Sequence, residues 1–141
     1  MEFETLSYEE TKERAKEFAK TLDKGSVICL YGDLGAGKTA FVQGVAEGLE
    51  IEEYITSPTF TIVNMYESGR LTLYHFDVYR IADVDEMYEL GYEEYVYGDG
   101  VSIIEWPQLI EEILPCERIN IHIEKDMEKD INYRRIIIEK V

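Results

Sequence analysis

Cysteine, histidine and tryptophan are scarce in this chain, which has two, two and one of them in 141 residues. Cys29 and Cys116 are too few for a disulfide scaffold and show no metal-ligand spacing. His75 and His122 lie far apart in sequence, so no metal cluster is expected. Cys29, inside the apolar run Val27-Ile28-Cys29-Leu30-Tyr31, reads as a buried core thiol. No apolar run approaches the roughly 20 residues that span a bilayer. The opening residues Met1-Glu2-Phe3-Glu4-Thr5 lack the basic and apolar regions of a signal peptide. The expectation is a cytoplasmic protein with no membrane contact. Positive charge is also short, with 14 Lys+Arg against 30 Asp+Glu and a net charge of −16. A protein that grips nucleic acid by itself normally presents a basic face that displaces counterions from phosphates. Any RNA in this protein's pathway is therefore expected to be held by a partner. The acidic surface suits docking on a basic patch of another protein.

What the chain does have is enough apolar residue for a core: 45% hydrophobic, with five Phe and eleven Tyr. Its length fits one domain, residues 1–141, and it contains no internal repeat or low-complexity linker. Ser7-Tyr8-Glu9-Glu10 reads as an N-cap and the acidic first turn of a helix, with Ala15, Phe18, Ala19 and Leu22 at helical spacing and Gly25 beyond its end. Val27 to Tyr31 reads as a buried strand. A glycine-rich turn follows, then an amphipathic helix through Phe41, Val42, Val45, Ala46 and Leu49. Thr59 to Tyr66 and Leu71 to Arg80 read as a hairpin. Asp83 caps a short helix that breaks at Gly91, and Val101 to Ile104 is a second buried strand. Arg118 to Lys125 and Ile131 to Lys140 form a last hairpin. The fold class implied is α/β, a three-layer P-loop NTPase-like sandwich with a mostly parallel central sheet and antiparallel hairpins.

The run Gly32-Asp33-Leu34-Gly35-Ala36-Gly37-Lys38-Thr39 matches the Walker A pattern in full, in the strand–turn–helix context that a P-loop needs. Gly35 and Gly37 permit dihedrals that aim successive N–H groups at a phosphate. The helix behind them adds its positive end. Lys38 would reach the β- and γ-phosphates of ATP, and the Thr39 hydroxyl would ligate Mg²⁺. Ala40 stands where many P-loops carry a second hydroxyl, and its backbone N–H can still face the α-phosphate. The dinucleotide fingerprint spaces its glycines differently and does not call for the Lys-Thr pair.

A P-loop also needs an acid at the end of a neighbouring strand. Glu105, closing Val101-Ser102-Ile103-Ile104, is the Walker B-like choice, and a plain strand end is the alternative. Trp106 packs over the site or simply closes the core, and Pro107 suits a first helical turn. In a strand, His75, Asp77 and Tyr79 share one face, while Tyr74, Phe76 and Val78 share the other, which looks like core. The polar face either lines the nucleotide site, with Asp77 orienting a water or completing a metal shell, or is solvated and carries an Asp–His hydrogen bond. Arg80 pairs with an acid or stabilises phosphate charge. Pro58 biases Ser57 to an extended conformation, and Thr59 in this loop is a switch-loop candidate or part of an ordinary turn.

Taken in order, the Gly32–Thr39 loop, Ser57-Pro58-Thr59-Phe60, His75-Phe76-Asp77-Val78-Tyr79-Arg80 and Ile104-Glu105-Trp106-Pro107 closely resemble the bacterial TsaE family, the ATPase of threonylcarbamoyladenosine tRNA modification. The resemblance runs from the first helix to about Pro115. The Walker A alone is shared with many families, whereas the combined set is specific to this one. It implies a slow P-loop ATPase working with TsaB and TsaD, where TsaD modifies the adenosine 3′ of the anticodon in tRNAs reading codons that begin with adenine. The tRNA is met only through that complex. Carried over to this chain, Lys38, Asp77 and Glu105 take catalytic roles, and Thr39 and Glu105 the metal. The nucleotide lies against Asp33, Leu34, Gly35, Ala36, Gly37, Lys38, Thr39 and Ala40, with Trp106 beside it and Thr11 against the adenine. The alternatives are a small P-loop kinase of a nucleoside or other small molecule and a nucleotide-sensing module without hydrolysis. A kinase usually carries an arginine-bearing lid, and the basic residues after Lys38 are scattered.

Overall fold

The computed structural model describes residues 1–33, 35–58 and 61–141. Two largely apolar runs decide its centre. Val27–Tyr31 (β2) and Val101–Glu105 (β5) are buried almost throughout, as parallel strands covered on both faces must be. They pair in parallel with Leu30 opposite Glu105. Leu73–Asp77 (β4) adds in parallel to β5, setting Asp77 opposite Glu105. Val63–Tyr66 (β3) lies antiparallel outside β4. On the other flank Ile119–Lys125 (β6) is parallel to β2, and Arg134–Lys140 (β7) returns antiparallel to it. Glu2–Thr5 (β1) closes that edge against β7. The described strands form one sheet in the order β1-β7-β6-β2-β5-β4-β3, mostly parallel at its centre with antiparallel margins, as the sequence pattern implies.

Two helices cover one face. In Tyr8–Ala19 (α1), the Ser7 hydroxyl accepts the Glu10 N–H at 3.0 Å, and Glu9 and Glu10 sit in the first turn, where the helix dipole favours acids. Its buried stripe Thr11, Ala15, Ala19 has i, i+4 spacing and consists of small side chains. This stripe meets Gly44 and Gly48 of Lys38–Gly48 (α2) so closely that a Cβ on Gly48 would stand 2.5 Å from Ala19 Cβ. Both helices pack on Ile28, Leu30, Leu73, Val101, Ile103, Ile121 and Ile136.

Among the described residues the opposite face is covered around β2, β5 and β4. Asp85–Glu89 (α3), Tyr92–Val96 (α4) and the 3₁₀ segment Pro107–Ile113 pack Met87, Tyr92, Val96 and Ile110 against Cys29, Phe76, Val78 and Ile104. Gly91, at φ 89°, divides α3 from α4; the N-cap of α3 is Val84 rather than the expected Asp83, whose carboxylate accepts the Asp85 N–H at 2.7 Å from one residue earlier. Cys29 is fully buried, and burial pushes its thiol up to about 12. Among the described residues no helix is long and apolar enough to cross a membrane.

Three local readings shift. β1 has no counterpart in the sequence pattern: four residues with two acids gain strand structure only from β7, more than a hundred residues away. The strand expected over residues 71–80 is regular only from Leu73 to Asp77, because the chain turns away at Val78. Its partner, expected from Thr59, is regular from Val63.

Candidate functional site

The crevice beyond the carboxyl ends of parallel strands is where open α/β sheets bind ligands, and here β2, β5 and β4 end together. At the end of β2, Gly32 lacks a Cβ that would crowd the Ile123 carbonyl oxygen at 3.1 Å. The loop then turns into α2 through Gly37 at φ 101°, a left-handed conformation that favours glycine. Gly35 is also left-handed, at φ 77°. No side chain caps the first turn of α2, so its N–H groups lack a side-chain acceptor at the end where the dipole is positive. Thr39 is exposed and Ala40 buried on that turn, and Asp33 is exposed at the mouth.

Lys38 is 7% exposed. Its Nζ lies 4.0 Å from Glu105 Oε1 and 4.1 Å from the centroid of the Trp106 ring. Burial lowers its pKa, with Glu105, Asp77 and Asp33 pulling the other way. Trp106 therefore packs over the site. It holds φ 61°, a costly conformation for an aromatic residue, and its far side meets Tyr79 at 4.9 Å between ring centroids.

The alternation in β4 places Leu73, His75 and Asp77 on the face toward α2, but this face is not solvated and the histidine does not pair with Asp77. His75 is buried, and its Nε2 donates to Glu105 Oε2 at 2.5 Å. Asp77 is half-buried and its Oδ1 accepts the Tyr79 N–H at 3.0 Å. Burial raises the Asp77 pKa first, that hydrogen bond opposes it, and Glu105 adds to the rise. Lys38, His75, Asp77, Glu105 and Trp106 thus converge from three elements onto the foot of the loop.

Other expected residues stand further out. Thr11 is buried in α1, with its hydroxyl 2.6 Å from that of Thr5. Arg80 is exposed and makes no ion pair among the described residues. Leu34 and Thr59 lie outside the described residues.

One contributor carries no sequence signal. Arg134, the first residue of β7, donates from Nε to the Ala36 carbonyl at 2.7 Å and from Nη2 to the Gly35 carbonyl at 3.3 Å. A Cβ on Gly37 would lie 3.4 Å from Arg134 Nε, so the glycine also makes room for the arginine. Three other arginines of the scattered set are similarly occupied: Arg70 holds the Ala19 and Leu22 carbonyls, Arg118 the Pro115 carbonyl, and Arg135 Glu2 and Glu124. Beyond the loop, a cavity of about 670 Å³ opens between Gly32, Asp33, Ala36, Lys125 and the stacked rings of Tyr31 and His122.

The donor set fits a hard divalent cation shared with a phosphate. Glu105 Oε1 lies 4.0 Å from the Lys38 ammonium at the foot of the loop, and Thr39 is exposed on the first turn of α2. No group of three His, Cys, Asp or Glu among the described residues could hold a metal unaided. Mg²⁺ bound to few protein groups, with phosphate and water completing its shell, is compatible with that count.

The family model described as threonylcarbamoyl adenosine biosynthesis protein TsaE matches residues 5–136. A Bacillus subtilis protein named tRNA threonylcarbamoyladenosine biosynthesis protein TsaE is 48% identical over 138 residues, covering 96% of this chain and 86% of the relative. One of the same name from Treponema pallidum is 50% identical over 104 residues, 74% of this chain and 76% of its own. The crystal structure of Bacillus subtilis YdiB superposes with a TM-score of 0.78 at 43% identity, covering all of this chain and 85% of that one. The chain belongs to the TsaE family of tRNA threonylcarbamoyladenosine biosynthesis proteins.

Proposed function

We propose that this protein is the ATP-binding and ATP-hydrolysing component of the tRNA threonylcarbamoyladenosine machinery, acting in the cytoplasm with TsaB- and TsaD-type partners. The observation that carries the reading is the burial of Lys38 beneath a glycine loop, flanked by Glu105 and Asp77. A buried ammonium with so weakly held a carboxylate partner is disposed to exchange it for a phosphate.

In this reading Lys38 moves from Glu105 to the β- and γ-phosphates, and the backbone N–H groups from Gly35 to Ala40 line the chain of phosphates. Thr39 and Glu105 would hold Mg²⁺, which would supply positive charge against the charge of the phosphates. Asp77 orients the attacking water and accepts its proton as the bond from the γ-phosphorus to the bridging oxygen breaks. Its raised pKa brings it nearer the range useful to a general base. Trp106 screens the phosphates from bulk water. The net charge of −16 supports indirect contact with tRNA through a partner that supplies the basic surface.

The test is ATP hydrolysis measured with and without purified TsaB–TsaD. Turnover should rise with the partners, and Lys38→Ala should abolish tRNA modification in a reconstituted system. Multiple-turnover modification that proceeds equally well without this chain would overturn the proposal.

A further inference from the structure

We infer that His75 is a positioning residue for Glu105, fixing which carboxylate oxygen faces the nucleotide loop. The inference rests on the reading that Glu105 serves the metal side of a nucleotide site.

His75 stands on β4 opposite Ile103 of β5, one pleat short of the pair Asp77–Glu105. His75 is 2% exposed, and its neighbours in register on this face of the sheet, Leu73 on its own strand and Ile103 and Ile28 on the next two, belong to the apolar core. Packing alone does not account for a histidine there, because a leucine would suit the same apolar surroundings without a polar atom to satisfy. The ring leaves Nδ1 without a hydrogen-bond partner among the described residues, so its polar link is the Nε2–H to Glu105 Oε2. That bond commits Oε2 and turns Oε1 toward Lys38. The two partners of Glu105 differ in permanence. Lys38 must leave when it takes a phosphate, whereas His75, held in the sheet, stays. Without His75, a buried carboxylate would lose its orientation at the moment when it is needed. Hydrogen bonds from outer residues orient metal ligands in this way and raise the effective affinity of a site.

The experiment uses the full chain and reads Trp106, its only tryptophan, as a fluorescent reporter of ADP binding with and without Mg²⁺. His75→Leu should fold, keep Mg²⁺-free ADP affinity, and raise the Mg²⁺ concentration for half-maximal tightening about tenfold. His75→Gln, whose amide N–H reaches toward Oε2, should recover most of the loss. If His75→Leu does not fold, His75→Asn, polar but too short, takes its place in the comparison with Gln. A Leu or Asn variant that titrates like the parent, or a Gln variant as impaired as either, overturns the inference. In the protein free of metal and nucleotide, NMR should show a downfield, slowly exchanging His75 Nε2–H signal that Glu105→Ala removes. Its absence from the parent also overturns the inference. If the signal is present but the parent shows no Mg²⁺-dependent nucleotide binding, the positioning contact stands and the nucleotide reading fails.

Discussion

Replacing Gly44 with alanine sets two well-measured effects against each other. In an ordinary helix interior alanine is favoured over glycine by roughly 0.8–1 kcal/mol, so helix propensity alone forecasts stabilisation. The α1–α2 contact forecasts the opposite. A Cβ on Gly44 would overlap the Lys12 carbonyl oxygen and lie 2.6 Å from Ala15 Cβ. Carbon–oxygen contacts ordinarily stand at about 3.3 Å or more, so the helices must part by roughly 1 Å. A gap of that size forfeits about a quarter to a half of each dispersion well it crosses. The side chains affected include Phe41, Val45 and Leu49, all fully buried. Overpacking of this kind costs about 3 kcal/mol or somewhat more. After subtracting the propensity gain, a net loss of about 2 kcal/mol remains. For a domain of this size that is a fall in Tm of about 6 °C. Urea titration should show a lower midpoint with an unchanged slope. Adding Ala15→Gly should restore only part of the loss, because the nearer obstacle is backbone oxygen. A Gly44→Ala protein more stable than the parent, or one fully rescued by Ala15→Gly, refutes the packing argument.

Asp77 offers a pH signature. Its folded pKa is raised above the ordinary value, so the folded chain holds that proton more tightly than the unfolded chain. Stability therefore falls as pH climbs from the ordinary aspartate value through the raised one, and the penalty stands in full at neutral pH. Asp77→Asn keeps an acceptor for the Tyr79 N–H and should melt higher than the parent at pH 7, the gap closing below about pH 3.8. A gap constant across that range would exclude titration of Asp77 as its source. Arg134→Ala removes both hydrogen bonds to the Gly35 and Ala36 carbonyls. It should weaken ADP binding by roughly tenfold or more in calorimetry, and Arg134→Lys should recover little because an ammonium cannot reproduce the fork. Parent-like affinity in Arg134→Ala would show that the loop holds its shape unaided.

What could be read from the sequence was what is local. The phosphate loop, its strand and its helix occupy one continuous stretch, and each residue's need follows from its neighbours. Glu105 was readable because the apolar run that buries β5 ends on it. The pairing of His75 with Glu105 was not, since it depends on β4 joining β5 in parallel with a particular register across 30 residues. The alternative of an Asp77–His75 bond gives way for the same reason: alternation puts both on one face but does not say what stands opposite. Arg134 reaches the loop from 98 residues away, and no spacing rule links a basic residue in a late hairpin to a glycine turn. β1 escaped notice because its only strand partner among the described residues is β7.

The edge made by β1 and β7 has a consequence for the timing of folding. Met1 donates its terminal amine to the Ile138 carbonyl across 137 residues, so β1, once made on the ribosome, waits for β7. At about 5–20 residues per second that wait is roughly 7 to 27 seconds. Through the whole interval the nucleotide loop lacks Arg134, and one flank of the sheet stays open. A chain cut short before β7 would carry the complete Walker motif without the arginine that steadies it. Competence to hold a phosphate would then arrive only with the returning strand.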